Sequence, residues 1–143
     1  MREAWLRLLI LAVLLPGPAL DAPARAQAPE APAQGDEAVG AAIYKANCAS
    51  CHGAKGQGDG PMADQLRYAP PDLTRMAARN RGRFPAELAQ RVIDGRDPIK
   101  GHGGTDMPIW GDAFLESRFG YSREQVKERI RLLVRHLETL QRD

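Results

Sequence analysis

Two cysteines and a histidine within five residues form the part of this sequence best suited to chemistry. Cys48 and Cys51 are three positions apart, and His52 follows directly. C-x-x-C-H is the attachment motif of c-type haem, because the two thiols can add to two vinyl groups on one porphyrin edge. The residue after the second cysteine then lies beneath the iron. The motif predicts one covalently bound haem c on Cys48 and Cys51, with His52 as proximal iron ligand.

Three other uses of these residues explain less. A zinc site needs four ligands, but the chain has only these two cysteines, and His102 and His136 stand alone. A thioredoxin-like pair follows a strand, and no strand-like alternation precedes Cys48. A disulfide between Cys48 and Cys51 would close a strained four-residue loop and leave His52 without a role.

The second axial position of the iron has several candidate ligands. Met76 shares a short helical face with Leu73, so we interpret it as core filler. Met107 precedes Pro108, which disfavours helical angles and presents the methionine from an extended segment. Met107 is therefore the preferred distal ligand. The alternatives that stay open are Met62, His102 and an open coordination site.

The amino-terminal stretch predicts export. Arg2 and Arg7 precede an apolar run at residues 8–15. The stretch after this run ends with small residues at Ala24 and Ala26. This run is well short of the ~20 residues that a membrane-spanning helix needs. We therefore expect residues 1–26 to be a cleaved signal peptide and the protein to be periplasmic, without stable membrane insertion. Retention of the leader as an anchor is the alternative.

The rest of the chain fits one domain behind a linker. Residues 27–35 are rich in Pro and Ala and predict a flexible linker, and residues 36–143 predict a single domain. The formal net charge is +2, without the one-sided block typical of nucleic-acid binding. One basic stretch either steers an acidic partner or is a solvated surface, and we favour the second because proximity in sequence does not establish a shared face. It contains Arg67, Arg75, Arg79, Arg81 and Arg83, offset by Asp72.

Helical periodicity dominates the pattern, and we predict an all-α fold. A first helix should run from Asp36, as N-cap, to about Cys48. The last should run from Arg123 to Gln141, after a capping box of Ser122 and Gln125. These two terminal helices are the expected frame.

Shorter elements lie between the terminal helices. We expect a helical turn around residues 62–68 and a short helix at Leu73 and Met76. A third piece should start with Pro85 at its first position and end before Gly95. In that piece Leu88 and Val92 should share the buried face.

These residues resemble class I cytochromes c, in particular small bacterial monohaem proteins. The matching segments are Gly58–Met62, which reads G-D-G-P-M, and Met107–Gly111, which reads M-P-I-W-G. Gly40 and Tyr44, eight and four places before Cys48, also fit the family pattern. The resemblance implies a cytochrome c fold with packed terminal helices around one haem, and Met107 as distal ligand.

The resemblance also implies particular packing. Gly40 should let the last helix approach closely, with Leu133 and Leu137 as the contacts. His136 stands where the family often has an aromatic residue. Trp110 should fill the wall of the haem pocket, and a backbone carbonyl of Pro70 or Pro71 should accept a hydrogen bond from His52.

A His/Met pair would fill both axial positions of the iron, which predicts an electron carrier and not an enzyme. The expected partners are redox proteins, such as a dehydrogenase, an oxidase or another cytochrome. The protein would be a monomer or a subunit of a redox complex. One alternative is the haem c subunit of a periplasmic dehydrogenase complex. Another is a haem-based ligand-binding protein.

Overall fold

The computed structural model describes residues 34–97 and 107–142. Within these ranges the chain contains helices and turns but no strand, which confirms the all-α prediction. The predicted signal peptide, most of the linker and His102 lie outside the described residues. In the described ranges there are six α-helices: α1 (Gln34–Asn47), α2 (Ala49–His52), α3 (Met76–Arg79), α4 (Ala86–Asp94), α5 (Trp110–Leu115) and α6 (Arg123–Thr139). In the described part, none of them has the length and apolarity needed to cross a bilayer.

Helices α1 and α6 pack against each other, as predicted for the terminal pair. At Gly40 a Cβ atom would overlap the carbonyl oxygen of Leu132 and lie 3.1 Å from the Cβ of His136. Gly40 therefore permits close approach, and the atoms nearest to it belong to Leu132 and His136 and not to the expected Leu133 and Leu137. Those two leucines lie one position further along α6 and line a cavity.

The start of α1 differs from the prediction. The helix begins at Gln34, so Asp36 lies in its first turn and is not the N-cap. The Asp36 carboxylate instead accepts hydrogen bonds from Arg131 at 3.1 Å and Arg135 at 3.4 Å, both on α6. A long-range ion pair thus uses the side chain that we expected to cap the helix.

The start of α6 is the capping box that the sequence predicted. The Ser122 hydroxyl accepts from the Gln125 backbone N–H at 3.3 Å, and the Ser122 N–H donates to the Gln125 side chain at 2.8 Å. The helix ends at Thr139, two residues before the predicted Gln141. The amide of Gln141 donates to the carbonyls of Leu137 and Leu73, which ties the end of α6 to the chain before α3.

Helix α4 begins at Ala86, so Pro85 is its N-cap and not its first helical residue. Gly95 ends it with φ of +82°, as the predicted glycine stop requires. The expected burial of Leu88 was wrong, because 43 % of its side chain is exposed. Leu88 projects into the cavity, whereas Val92 and Ile93 are buried.

The remaining short elements agree with the predictions in place but not in length. A 3-10 helix, Ala63–Gln65, occupies part of the predicted turn at 62–68. A second 3-10 helix, Leu73–Arg75, continues directly into α3. Leu73, from this second 3-10 helix, and Met76, from α3, line one wall of the cavity.

Candidate haem-binding site

The helices surround a cavity of about 390 Å³. This volume lies within the range of roughly 300–1,000 Å³ that is common for small-molecule and cofactor sites. Helices α1 and α3–α6 and the C-x-x-C-H turn all contribute to its walls. Most wall residues are apolar, including Leu73, Leu88, Val92, Leu133 and Leu137. Such a lining suits a flat hydrophobic ring.

The C-x-x-C-H segment continues the course of α1 with one further helical turn. The Cys48 N–H donates to the carbonyl of Tyr44 at 2.8 Å, and the His52 N–H donates to the carbonyl of Cys48 at 2.9 Å. Cys48 and His52 both line the cavity. Cys51 is half-buried on the same turn, outside the cavity lining, and the two sulfurs are not bonded to each other.

Burial controls the protonation of both cavity residues in this motif. It raises the pKa of the Cys48 thiol to about 12, with a further contribution from Cys51. The His52 side chain is only 7 % exposed, and burial lowers its pKa, opposed by a hydrogen bond to the backbone of Pro71. His52 is therefore neutral at neutral pH, the form in which imidazole binds a metal. Of the two prolines considered, Pro71 is the one that contacts His52.

Met107 lines the same cavity, although it follows His52 by 55 residues in the sequence. Pro108 and Ile109 are not helical, and α5 begins at Trp110, so the predicted extended segment before a short helix is confirmed. Trp110 lines the cavity wall and lies 5.4 Å from Phe114 between ring centroids. Its expected wall-filling position is confirmed.

Sequence reasoning missed the role of Gly111. A Cβ atom there would overlap the Asp94 carboxylate and lie 2.8 Å from the Asp94 carbonyl oxygen. The start of α5 can therefore approach the end of α4, which holds the Met107 segment against the cavity. The glycine at the end of M-P-I-W-G was the available signal.

The other candidate iron ligands differ in position. Met62 is 47 % exposed and lies outside the cavity lining. Met76 is half-buried, packs against the core and lines the cavity, in agreement with its interpretation as filler. His102 lies outside the described residues. Met107 and Met76 are thus the described methionines that face the cavity.

Two polar residues, Arg79 and Asn80, also line the cavity. Both are exposed, so this part of the wall is an open rim. The Arg79 guanidinium donates to the main-chain carbonyl of Asp72 at 2.7 Å, which fixes its position. The site therefore combines an apolar interior with a cationic edge.

The predicted aromatic position on α6 is occupied by His136. Its ring lies 5.3 Å from that of Tyr44, and its Nδ1 lies 2.8 Å from the Glu37 carboxylate, a partner that sequence reasoning missed. The Tyr44 hydroxyl donates to the Gly53 carbonyl at 2.7 Å, next to His52, and burial raises the Tyr44 pKa. This hydrogen bond links the packing of α1 against α6 to the backbone beside His52.

The donor set fits a c-type haem, since a neutral histidine, a cysteine and a thioether face one apolar cavity. Comparison with known protein families gives a match to the family described as Cytochrome c over residues 37–134. No curated protein and no solved structure matches the chain. The matched span covers more than half of the chain and includes the C-x-x-C-H turn, Met107 and most of α6. The chain belongs to the cytochrome c family.

Proposed function

We propose that this protein is a periplasmic electron carrier with one haem c. In this proposal Cys48 and Cys51 hold the haem covalently, and His52 and Met107 are its axial ligands. The cytochrome c family carries covalent haem c and transfers electrons through it, which fits a carrier better than a catalytic enzyme. The observation that carries the proposal is the convergence of Cys48, His52 and Met107 on one cavity.

Each residue has a separate task. Pro71 orients the His52 ring, and burial keeps that ring neutral for iron binding. The Met107 thioether would supply the second protein ligand to the iron, and a thioether favours reduced iron. When bound, the haem supplies a reversible one-electron couple. The apolar walls would exclude water from it, and Arg79 and Asn80 would offer polar groups to its charged propionates at the rim.

The proposed location rests on the leader. Residues 1–26 combine basic residues, an apolar run and small residues before Ala26, as export signals do. Determining the amino terminus of the native protein from a periplasmic extract tests this part. A chain that still begins at Met1, or that is recovered in the membrane fraction, contradicts it.

A stable redox complex is the second candidate function. Phe119, in the turn between α5 and α6, is 66 % exposed, and an exposed aromatic side chain can be covered by a partner. The haem c subunit of a dehydrogenase complex would copurify with a larger protein in constant proportion. A free carrier would elute as a single small species with its full visible spectrum.

The spectrum and mass of the purified native protein test the haem site directly. We expect the polypeptide mass to increase by that of one haem, and the colour to resist extraction with acid and organic solvent. In the ferric protein, Met107→Ala should abolish the weak far-red band of iron bound to thioether sulfur. Met76→Ala and Met62→Ala are the matched controls and should keep it.

The opposite results are equally clear. Extraction of the colour would exclude covalent attachment. A far-red band that survives Met107→Ala and disappears in Met76→Ala would transfer the ligand role to Met76. Rapid binding of carbon monoxide by the unmodified reduced protein would favour the ligand-binding alternative.

A further inference from the structure

Helices α1 and α6 bring a histidine and a carboxylate together at their crossing, and we call these two residues the interhelical pair. His136, on α6, is only 9 % exposed, and its Nδ1 lies 2.8 Å from a carboxylate oxygen of Glu37 on α1. The Thr139 hydroxyl lies 3.2 Å from the same oxygen. The second Glu37 oxygen is buried without a hydrogen-bond partner. The histidine is therefore held against a carboxylate whose other oxygen is withheld from water.

The interhelical pair can gain and lose a proton near neutral pH. Histidine is the side chain whose unperturbed pKa places its change of charge between pH 5 and 8. The aromatic residue that the family resemblance leads us to expect at this position has no such change of charge. Because the Glu37 side chain is 37 % exposed, protons can reach the pair from the solvent.

The neighbouring charges on α1 and α6 are engaged elsewhere or exposed. The Asp36 carboxylate, next to Glu37 on α1, binds Arg135 at 3.4 Å. Glu138, two residues after His136 on α6, is exposed to solvent. Loss of one proton therefore takes the interhelical pair from a net neutral to a net negative charge.

Tyr44, on α1, stands between the interhelical pair and the haem cavity. Its ring lies 5.3 Å from that of His136, and its side chain lines the cavity. Burial raises the Tyr44 pKa, with further contributions from Cys48 and Asp59, so the hydroxyl stays neutral. Tyr44 is thus an uncharged link between the pair and the cavity.

Two leucines of α6 complete the layer between the interhelical pair and the cavity. Leu133 and Leu137, which precede and follow His136 in the sequence, both line the cavity. These leucines and Tyr44 are at most 5 % exposed. Charges interact strongly through such a layer, because its effective permittivity is far below that of water. A change of charge on the pair therefore changes the electrostatic potential in the cavity.

We infer that the interhelical pair binds a proton more tightly when the haem iron is reduced, and that it thereby regulates the reduction potential. This inference rests on the proposed electron-carrier function and adds a proton to the electron transfer. As the redox partner gives one electron to ferric iron, His136 takes up one proton from water, and oxidation releases both. Reduction lowers the charge in the cavity by one, which favours the protonated pair. Because such coupling is reciprocal, protonation also makes reduction easier.

The reduction potential of the holoprotein, measured by spectroelectrochemistry between pH 5 and 8, tests this inference. We expect the potential to fall as the pH rises, because the protonated pair favours reduced iron. A proton affinity roughly tenfold higher in the reduced protein, within the usual range of such coupling, corresponds to a total fall of about 59 mV for a one-electron couple. His136→Phe keeps a ring against Tyr44 but binds no proton, so this fall should be lost.

Two glutamine variants with the same change in charge test the role of the carboxylate. Glu37→Gln removes the carboxylate that favours the protonated ring, so the fall in potential should move to lower pH. Glu138→Gln removes an exposed carboxylate from α6 and should leave the fall in its wild-type pH range.

Proton NMR of the histidine rings covers a failure of the His136 variant to fold. In the wild type, the His136 ring should take up its proton at higher pH in the reduced than in the oxidised protein. The shift of its signals in Glu37→Gln assigns them to His136.

Two results would overturn the inference. One is a potential that is independent of pH, or that falls equally in the wild type and in His136→Phe, which would assign the proton to other groups such as the haem propionates. The other is protonation of the His136 ring at the same pH in both redox states. Failure of the electron-carrier proposal is distinguishable, because the protein would then lack covalent haem or a reversible one-electron reaction at every pH.

Discussion

Replacing Gly40 with alanine tests whether the close crossing of α1 and α6 stabilises the protein. The new Cβ would overlap the carbonyl oxygen of Leu132, which is backbone and cannot rotate away. It would also lie 3.1 Å from the Cβ of His136. The two helices must therefore move apart by roughly 1 Å, a gap that forfeits up to half of the dispersion energy between facing atoms.

Two opposing contributions decide the size of the effect. Alanine in place of glycine stabilises a helix by about 1 kcal/mol. Overpacking of a tight interface costs up to about 3 kcal/mol, and here Ile43, Tyr44 and Leu133 are almost fully buried around the crossing. We therefore expect Gly40→Ala to destabilise the holoprotein by about 2 kcal/mol. At roughly 4–8 °C per kcal/mol, the melting temperature should fall by about 10 °C.

Gly35 provides a matched control in the same helix. A Cβ there meets no atom within 4 Å, so Gly35→Ala should leave stability unchanged or slightly higher. Thermal unfolding, followed by circular dichroism and by haem absorbance, measures both variants. If Gly40→Ala proves as stable as Gly35→Ala, the close approach does not exist and the reasoning is wrong.

Three further changes probe individual contacts. Arg81→Gly should raise the free energy of unfolding in urea by about 1 kcal/mol, because glycine relieves the positive φ; lower stability would contradict the strain. His136→Phe should keep the ring packing but cost about 1 kcal/mol in urea unfolding, since the partly buried Glu37 carboxylate loses its 2.8 Å contact. Glu37→Gln in the same variant should restore part of that loss, and no recovery would contradict the assignment. Thr74, followed by Arg79, lowers the Asp72 pKa, so Asp72 contributes stability above its unfolded pKa of about 3.9 and loses it as pH falls through the folded value. Asp72→Asn should therefore be less stable at pH 7 and equal to the wild type near pH 2, and a constant difference across that range would refute this.

Several features that depend on contacts within one or two turns of the chain could be predicted from the sequence. The Ser122 and Gln125 capping box needs partners only three residues apart, and the left-handed conformation of Gly95 follows from its place after a helix. The extended residues before α5 are local in the same sense. Neighbouring residue types determine such features, so pattern reasoning finds them.

Individual side-chain contacts between segments far apart in the sequence could not be predicted from local patterns. Asp36 looked like an N-cap, yet its carboxylate binds arginines 95 and 99 residues away. The glycine at position 111 indicates a close approach, but the sequence does not identify Asp94 as the residue it meets. Leu88 has the periodicity of a buried residue, but the surface that it covers is the cavity. Sequence spacing shows which residues share one face of a helix, but it does not show what that face packs against.

The helix crossing and the haem site depend on the same side chain, Tyr44. It lies one turn after Gly40 on α1, packs against His136, and lines the cavity. Its hydroxyl donates to the carbonyl of Gly53, the residue that follows His52. Because α1 leads directly into the C-x-x-C-H turn, a displacement at the crossing moves the backbone of the proposed iron ligand. The packing of α1 against α6 therefore contributes to the position of His52.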